Sequence, residues 1–124
     1  MDYYRLMRGS ECYRANCRII VNTCTRKLHL IIDDNLYKSY PIAVGKMLDK
    51  IHPHTYEIVS KKCDPGDRYG ARWIGLNRKH YAIHGTDDPL SIGRSVSHGC
   101  ISMYNKDVIE LYDLVDIGTR VRIV

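Results

Sequence analysis

Apolar positions alternate with polar ones over most of this chain, which is the signature of half-buried strands. RIIVNT opens the pattern, and KLHLIID follows with Leu28, Leu30 and Ile32 on one face. Asp34-Asn35 supplies turn chemistry, and LYKSYPIAV runs back as the hairpin partner. TYEIVS, RWIGL and KHYAIH are further strand candidates, the last ending on His84. At the end of the chain, in TRVRIV, Val121 and Ile123 alternate with Arg120 and Arg122. GKMLDKIHP (45–53) reads as a loop, CDPGDRYG (63–70) as a turn-rich excursion, and TDDPLSIGRSV as a loop leading into HGCISM. One segment changes period. In NKDVIELYDLV, Val108, Leu111, Tyr112 and Val115 recur at i, i+3, i+4 and i+7, which predicts a helix. Asn105 is its expected N-cap, Asp107 lies in the first turn, and Gly118 closes the element.

Many short strands, Gly/Pro turns and a single short helix predict a mainly β fold, a sandwich or a barrel. Residues 1–16 lack periodicity and read as an irregular lead-in to one domain over 17–124. No repeat or linker divides the chain, and 124 residues suffice for one domain with a real core.

Composition adds limits. Phe is absent while Tyr occurs ten times, so much of the aromatic packing carries a hydroxyl that needs a partner. The net charge of +5 favours polyanionic surroundings, but Lys and Arg are scattered, without the clustering of a nucleic-acid module. No stretch approaches the roughly 20 apolar residues of a membrane span. MDYYRLMRGSECYRAN carries positive charge without an apolar core, so no secretory signal is expected. The chain is then either a mature fragment or one that reaches its compartment by another route. Five cysteines allow two disulfides among Cys12, Cys17, Cys24 and Cys63, or reduced thiols, with Cys100 left single in either case.

The candidate chemistry lies in SHGC (97–100), preceded by His84-Gly85. A thiol at neutral pH needs a base to become a thiolate, and histidine is the commonest one. His98 is near in sequence, but residues two apart on an extended segment sit roughly 6.5 Å apart, long for a direct bond. His84 ends another strand and is the better base. Gly85 and Gly99 leave room for a substrate, and the Gly99 and Cys100 amides are suited to an oxyanion. The residues alone leave two other readings open. One is a buried, inert Cys100. The other is a zinc site drawn from His80, His84, His98 and Cys100, although no C-x-x-C or helical H-x-x-x-H sets its geometry.

HGTDDPLSIGRSVSHGCISMYNKDVIELYDLVDIGTRVRIV resembles the signature region of the YkuD-type L,D-transpeptidases, in which a His-Gly leads through a Gly-containing loop to Ser/Thr-His-Gly-Cys. DPGDRYGARWIGL and RKLHLIIDDNLYKSYPIAVGK extend the resemblance upstream, to about residues 18–124. It implies the β-sandwich or barrel-like L,D-transpeptidase catalytic fold and a cysteine-dependent acyltransferase acting on peptidoglycan stem peptides. Cys100 would be the nucleophile, His84 its base, and the Gly85 carbonyl the group orienting the imidazole. Gly99 and Cys100 amides would form the oxyanion hole, with Ser97 and His98 shaping the pocket. Tyr69, Arg72 and Trp73 are weaker candidates for substrate contact, with Ser102 and Asn105 beside them. The resemblance implies no metal or organic cofactor, and it implies covalent inhibition by carbapenem-type β-lactams.

The implied reaction releases terminal D-Ala from a tetrapeptide stem and forms a 3→3 cross-link with a second stem. An L,D-carboxypeptidase or hydrolase using the same Cys-His site is the nearest alternative. A sortase-type site would need Arg120 or Arg122 as its arginine. A non-catalytic zinc-binding wall domain stands as the rival of a different class. Two departures bear on these readings: Ser102 stands where many relatives carry Arg, and His54 where Gly is usual. An extracytoplasmic, wall-associated monomer is expected, reached by a spore-coat or other signal-independent route if the chain has no leader.

Overall fold

Leu28 and Leu30, paired on one face by the alternation, are fully buried, while Ile32 at the end of that face is partly buried. The computed structural model describes residues 16–46, 48, 53–96 and 100–124. Strand β2 (Lys27–Ile32) lies between β1 (Cys17–Asn22) and the first half of β3 (Asn35–Gly45), antiparallel to both. The connecting turn falls one residue earlier than Asp34-Asn35. Asp33 and Asp34 carry it, with φ of 53° and 66°. Positive φ at both central residues matches the right-handed twist of a hairpin, and aspartate tolerates it better than most residues.

The other strands are β4 (His54–Cys63), β5 (Arg72–Leu76), β6 (Ala82–His84), β7 (Ser95–Val96), β8 (Ile101–Met103) and β9 (Arg120–Ile123). Hydrogen bonding runs β2-β1-β9-β4-β5-β6-β8-β3-β7, and the extra β2–β3 pairing closes the order into a barrel-like sheet. Closure works because β3 serves twice. Its outer half pairs with β2 up to Pro41, and its inner half, Ile42–Gly45, pairs with β8 and β7. Pro41 has no N–H to offer a ladder, and it stands where the partner changes. Closure leaves few unpaired strand edges, which otherwise invite association.

The interior is filled by alternate side chains such as Ile19, Val21, Ile83, Ile101 and Val121, each essentially inaccessible. Helix α1 (Asn105–Leu114) buries Val108 and Leu111 against this core, as its period requires, while Tyr112 stays partly exposed. The helix is tied to β3 through Glu110, whose Oε1 accepts from Tyr40 Oη at 2.7 Å and Lys38 Nζ at 2.8 Å.

Several expectations are corrected. Tyr104, not Asn105, is the N-cap, and Asn105 is the first helical residue, with its side chain turned elsewhere. Strand β4 runs on to Cys63, so the turn-rich stretch starts at Asp64. Only Ala82–His84 of KHYAIH is strand, because His80 takes a left-handed turn conformation (φ 70°) before the chain enters the sheet. TDDPLSIGRSV is not loop throughout: Pro89–Ser91 form a 3-10 turn, and Ser95–Val96 add to β3 in parallel. Cys17 is disulfide-bonded while Cys24 and Cys63 are exposed free thiols, so the two-disulfide arrangement does not form. The 1–15 lead-in, most of the 45–53 loop, and Ser97, His98 and Gly99 lie outside the described residues. Among the described residues no helix is long and apolar enough to cross a membrane.

Candidate active site

Strands β6 and β8 pair in parallel with Ile83 beside Ile101 and His84 beside Ser102. Alternation sends Ile83 and Ile101 into the core, so His84 and Ser102 share the opposite face. One step back along the same ladder Cys100 comes beside Ala82, whose backbone amide hydrogen-bonds the Cys100 sulfur. Cys100 and His84 are thus diagonal neighbours on one face. Their Cα atoms are separated by about 8 Å from strand spacing and rise, a gap that an imidazole and a thiol side chain can span. Both are buried, at 3% and 4% exposure.

The imidazole is held from several sides. Its Nδ1 lies 2.7 Å from the Gly85 carbonyl oxygen. A carbonyl only accepts, so Nδ1 carries the hydrogen and Nε2 keeps the basic lone pair. Trp73 is the cross-strand partner of His84 on β5, and their rings stack with centroids 5.9 Å apart. Tyr69 meets both rings edge-on, at 5.1 Å from His84 and 4.9 Å from Trp73. Tyr69, Trp73, His84 and Ser102 are therefore brought together, as the sequence motif groups them.

The thiol has a different environment. Burial pushes Cys100 up to about 11, offset in part by the Ala82 amide. At neutral pH the side chain is a protonated thiol and weakly nucleophilic by itself. The neighbouring strand is tightly packed. Gly75 pairs with Ala82, and a Cβ on Gly75 would run into Ser60 Oγ and come within 3.1 Å of the Trp73 indole nitrogen. The arrangement sets a buried thiol and an imidazole of fixed tautomer on one face of two paired strands.

Arg72 is not brought to this face. It precedes Trp73 by one residue, so alternation turns it to the far side, over the Tyr112 ring (5.3 Å) and with Nη1 bonding Ala71 O at 2.8 Å. Only its backbone serves the site, through Arg72 O accepting from Gly85 N–H at 3.1 Å. The amide of Asn105 is engaged with the backbone of Ala71 and Thr86, at 3.0 to 3.3 Å, rather than held open for a substrate. Thr86 and Gly70, which pack around that amide, went unmarked as site residues. The Thr of HGT and the Gly before Ala71-Arg72 were the available signals.

Among the described residues no group of three or more His, Cys, Asp and Glu side chains is arranged to hold a metal ion. His80, one of the four candidate zinc ligands, sits in the turn before β6, while His98 lies outside the described residues.

Comparison with known proteins identifies the family. The family model for the YkuD L,D-transpeptidase catalytic domain matches residues 17–123. A Bacillus licheniformis relative named as an L,D-transpeptidase YkuD is 49% identical over 106 residues, 86% of this chain. The chain spans 64% of that relative's length. Among solved structures, an L,D-transpeptidase from Mycobacterium smegmatis superposes with a TM-score of 0.75 at 16% identity, over 89% of this chain and 59% of that one. L,D-transpeptidase 3 from Mycobacterium tuberculosis, solved with a faropenem-derived adduct, gives 0.73 at 17% identity, over 88% and 60%. At those identities the structural matches establish the fold, while the sequence matches establish kinship. The chain belongs to the YkuD family of L,D-transpeptidase catalytic domains.

Proposed function

We propose that this domain forms 3→3 cross-links between peptidoglycan stems through an acyl-enzyme on Cys100. The observation that carries the reading is the β6–β8 pairing. It sets His84 and Cys100 on one face, with the His84 tautomer fixed by Gly85 O so that Nε2 is the base.

In the first half-reaction Cys100 Sγ attacks the carbonyl joining the third residue of a tetrapeptide stem to its terminal D-Ala. The thiol proton passes to His84 Nε2, and the Gly85 carbonyl stabilises the imidazolium through Nδ1–H. The family motif assigns the oxyanion to the Gly99 and Cys100 amides. Collapse expels D-Ala, which leaves with the proton from His84, and a thioester remains. In the second half the side-chain amine of another stem gives up a proton to His84 and attacks the thioester. Cys100 leaves and is reprotonated. Trp73 and Tyr69 hold the imidazole plane and wall the donor site. No metal or organic cofactor enters these steps.

The same thiol would open the strained ring of a carbapenem. The imipenem complex solved for another L,D-transpeptidase of this fold supports this. Because stems lie outside the membrane, the proposed site of action is the cell wall. Incubation with a disaccharide-tetrapeptide tests the proposal. Tetrapeptide loss with 3→3 dimers in the mass spectrum is expected, and Cys100→Ala should abolish both the dimers and the carbapenem mass shift. Tripeptides alone would reassign the domain as an L,D-carboxypeptidase. An adduct retained in Cys100→Ala would remove Cys100 from the mechanism.

A further inference from the structure

Peptide geometry links the His84 base to a residue on another element. The Gly85 carbonyl that accepts from His84 Nδ1 belongs to the Gly85–Thr86 peptide, and the N–H of that same plane is Thr86 N–H. A trans peptide is rigid, with its C=O and N–H pointing in opposite directions, so whatever grips the N–H aims the C=O. Asn105 Oδ1 accepts from Thr86 N–H at 3.3 Å and from Ala71 N–H at 3.0 Å, while Asn105 Nδ2 donates to Thr86 O at 3.1 Å. One amide therefore ties down the plane that orients His84. It also ties the turn leading out of Tyr69, whose ring packs edge-on against His84 at 5.1 Å.

The seat for that amide exists because two residues lack side chains. A Cβ on Gly85 would collide with Asn105 Oδ1 and approach Ala71 N to 2.9 Å. A Cβ on Gly70, where φ is +65°, would strike the same oxygen and come within 2.5 Å of Thr86 N. The helix needs no cap from Asn105, since the residue stands one position inside it.

We propose that Asn105 is a positioning residue for His84. By holding and polarising the Gly85–Thr86 peptide, it keeps the imidazole in the Nδ1–H tautomer with Nε2 turned to the thiol. A hydrogen bond to the N–H of an amide strengthens its carbonyl as an acceptor, so the bond also favours the imidazolium formed on attack. The inference rests on His84 being the base, and the test separates the two ideas.

Asn105→Ala is made in the full chain and read two ways. Carbapenem acylation of Cys100 is followed against concentration and pH, and the His84 tautomer is read from long-range proton–nitrogen-15 spectra of the imidazole. The limiting acylation rate should fall about 10- to 100-fold, the usual scale for losing an outer hydrogen bond that orients a histidine. The half-saturating concentration should stay fixed, the acid limb of the pH profile should move to lower pH, and the tautomer signal should become mixed. Asn105→Asp keeps the acceptor oxygen, serves even where the alanine variant fails to fold, and should restore the single tautomer. A wild-type rate and tautomer in Asn105→Ala would overturn the proposal. So would a slower reaction with unchanged tautomer and raised half-saturation, which marks a substrate contact, or a mixed tautomer in Asn105→Asp. Failure of the underlying mechanism shows separately, as wild-type acylation in His84→Ala.

Discussion

Replacing His84 with Ala should convert Cys100 from an assisted nucleophile into an ordinary buried thiol, and the size of the change follows from its burial. The thiol stands at about 11 against an ordinary value of 9.0. Two pH units lower its thiolate population about 100-fold at neutral pH, equivalent to about 3 kcal/mol. A more basic thiolate is also more nucleophilic, and with a Brønsted slope near 0.4–0.5 two units return about tenfold. The net handicap is about tenfold, before counting restricted access to a side chain with 3% exposure. A small neutral alkylating agent should therefore modify exposed Cys24 and Cys63 well before Cys100 at neutral pH. Under the proposed mechanism, carbapenem acylation should not share this handicap, because His84 would remove the proton during attack. In His84→Ala, acylation should collapse at pH 7 and recover as pH rises towards 11, tracking the thiolate. Peptide mapping by mass spectrometry gives both rates. The reasoning fails if Cys100 alkylates fastest of the three at pH 7, or if His84→Ala keeps its acylation rate there. The same displacement makes a stability statement. The folded state holds the proton more tightly than the unfolded chain, so stability is unaffected below pH about 9 and falls as pH rises through 9 to 11, by up to about 3 kcal/mol. Cys100→Ala should lack that slope.

Gly70→Ala forces a side chain onto a left-handed residue and into the seat of the Asn105 amide, so a loss of about 1–3 kcal/mol is expected in chemical denaturation, together with slower acylation. Tyr40→Phe removes the hydroxyl bonded to Glu110 from a fully buried ring and should cost about 1–2 kcal/mol by the same measurement. Glu110 is held below the usual carboxylate range by its bonds to Lys38 and Tyr40. That contribution is present above the range and lost as pH falls through it, so the Tyr40→Phe deficit should shrink in acid. Chelator should leave the alkylation rate of Cys100 unchanged, whereas one stoichiometric zinc that shields Cys100 would favour the zinc-binding alternative.

Local sequence determined most of the elements and named the candidate pair. Alternation placed Leu28 and Leu30 inside a strand, the 3.6-residue period placed Val108 and Leu111 on the buried side of a helix, and His84-Gly85 with SHGC named the candidate base and thiol. These are legible because side-chain burial repeats within one element. What the tertiary structure decided depends on pairs far apart in the chain. That β6 and β8 lie side by side and parallel, bringing Cys100 onto the face of His84, is a matter of sheet order, to which local periodicity is blind. Arg72 and Trp73 adjoin in sequence, yet a period of two sends one to the helix side and the other to the imidazole. Asn105 reads locally as a helix cap. Its amide instead finds Ala71 and Thr86, 34 and 19 residues away, because two glycines from different segments leave it a seat.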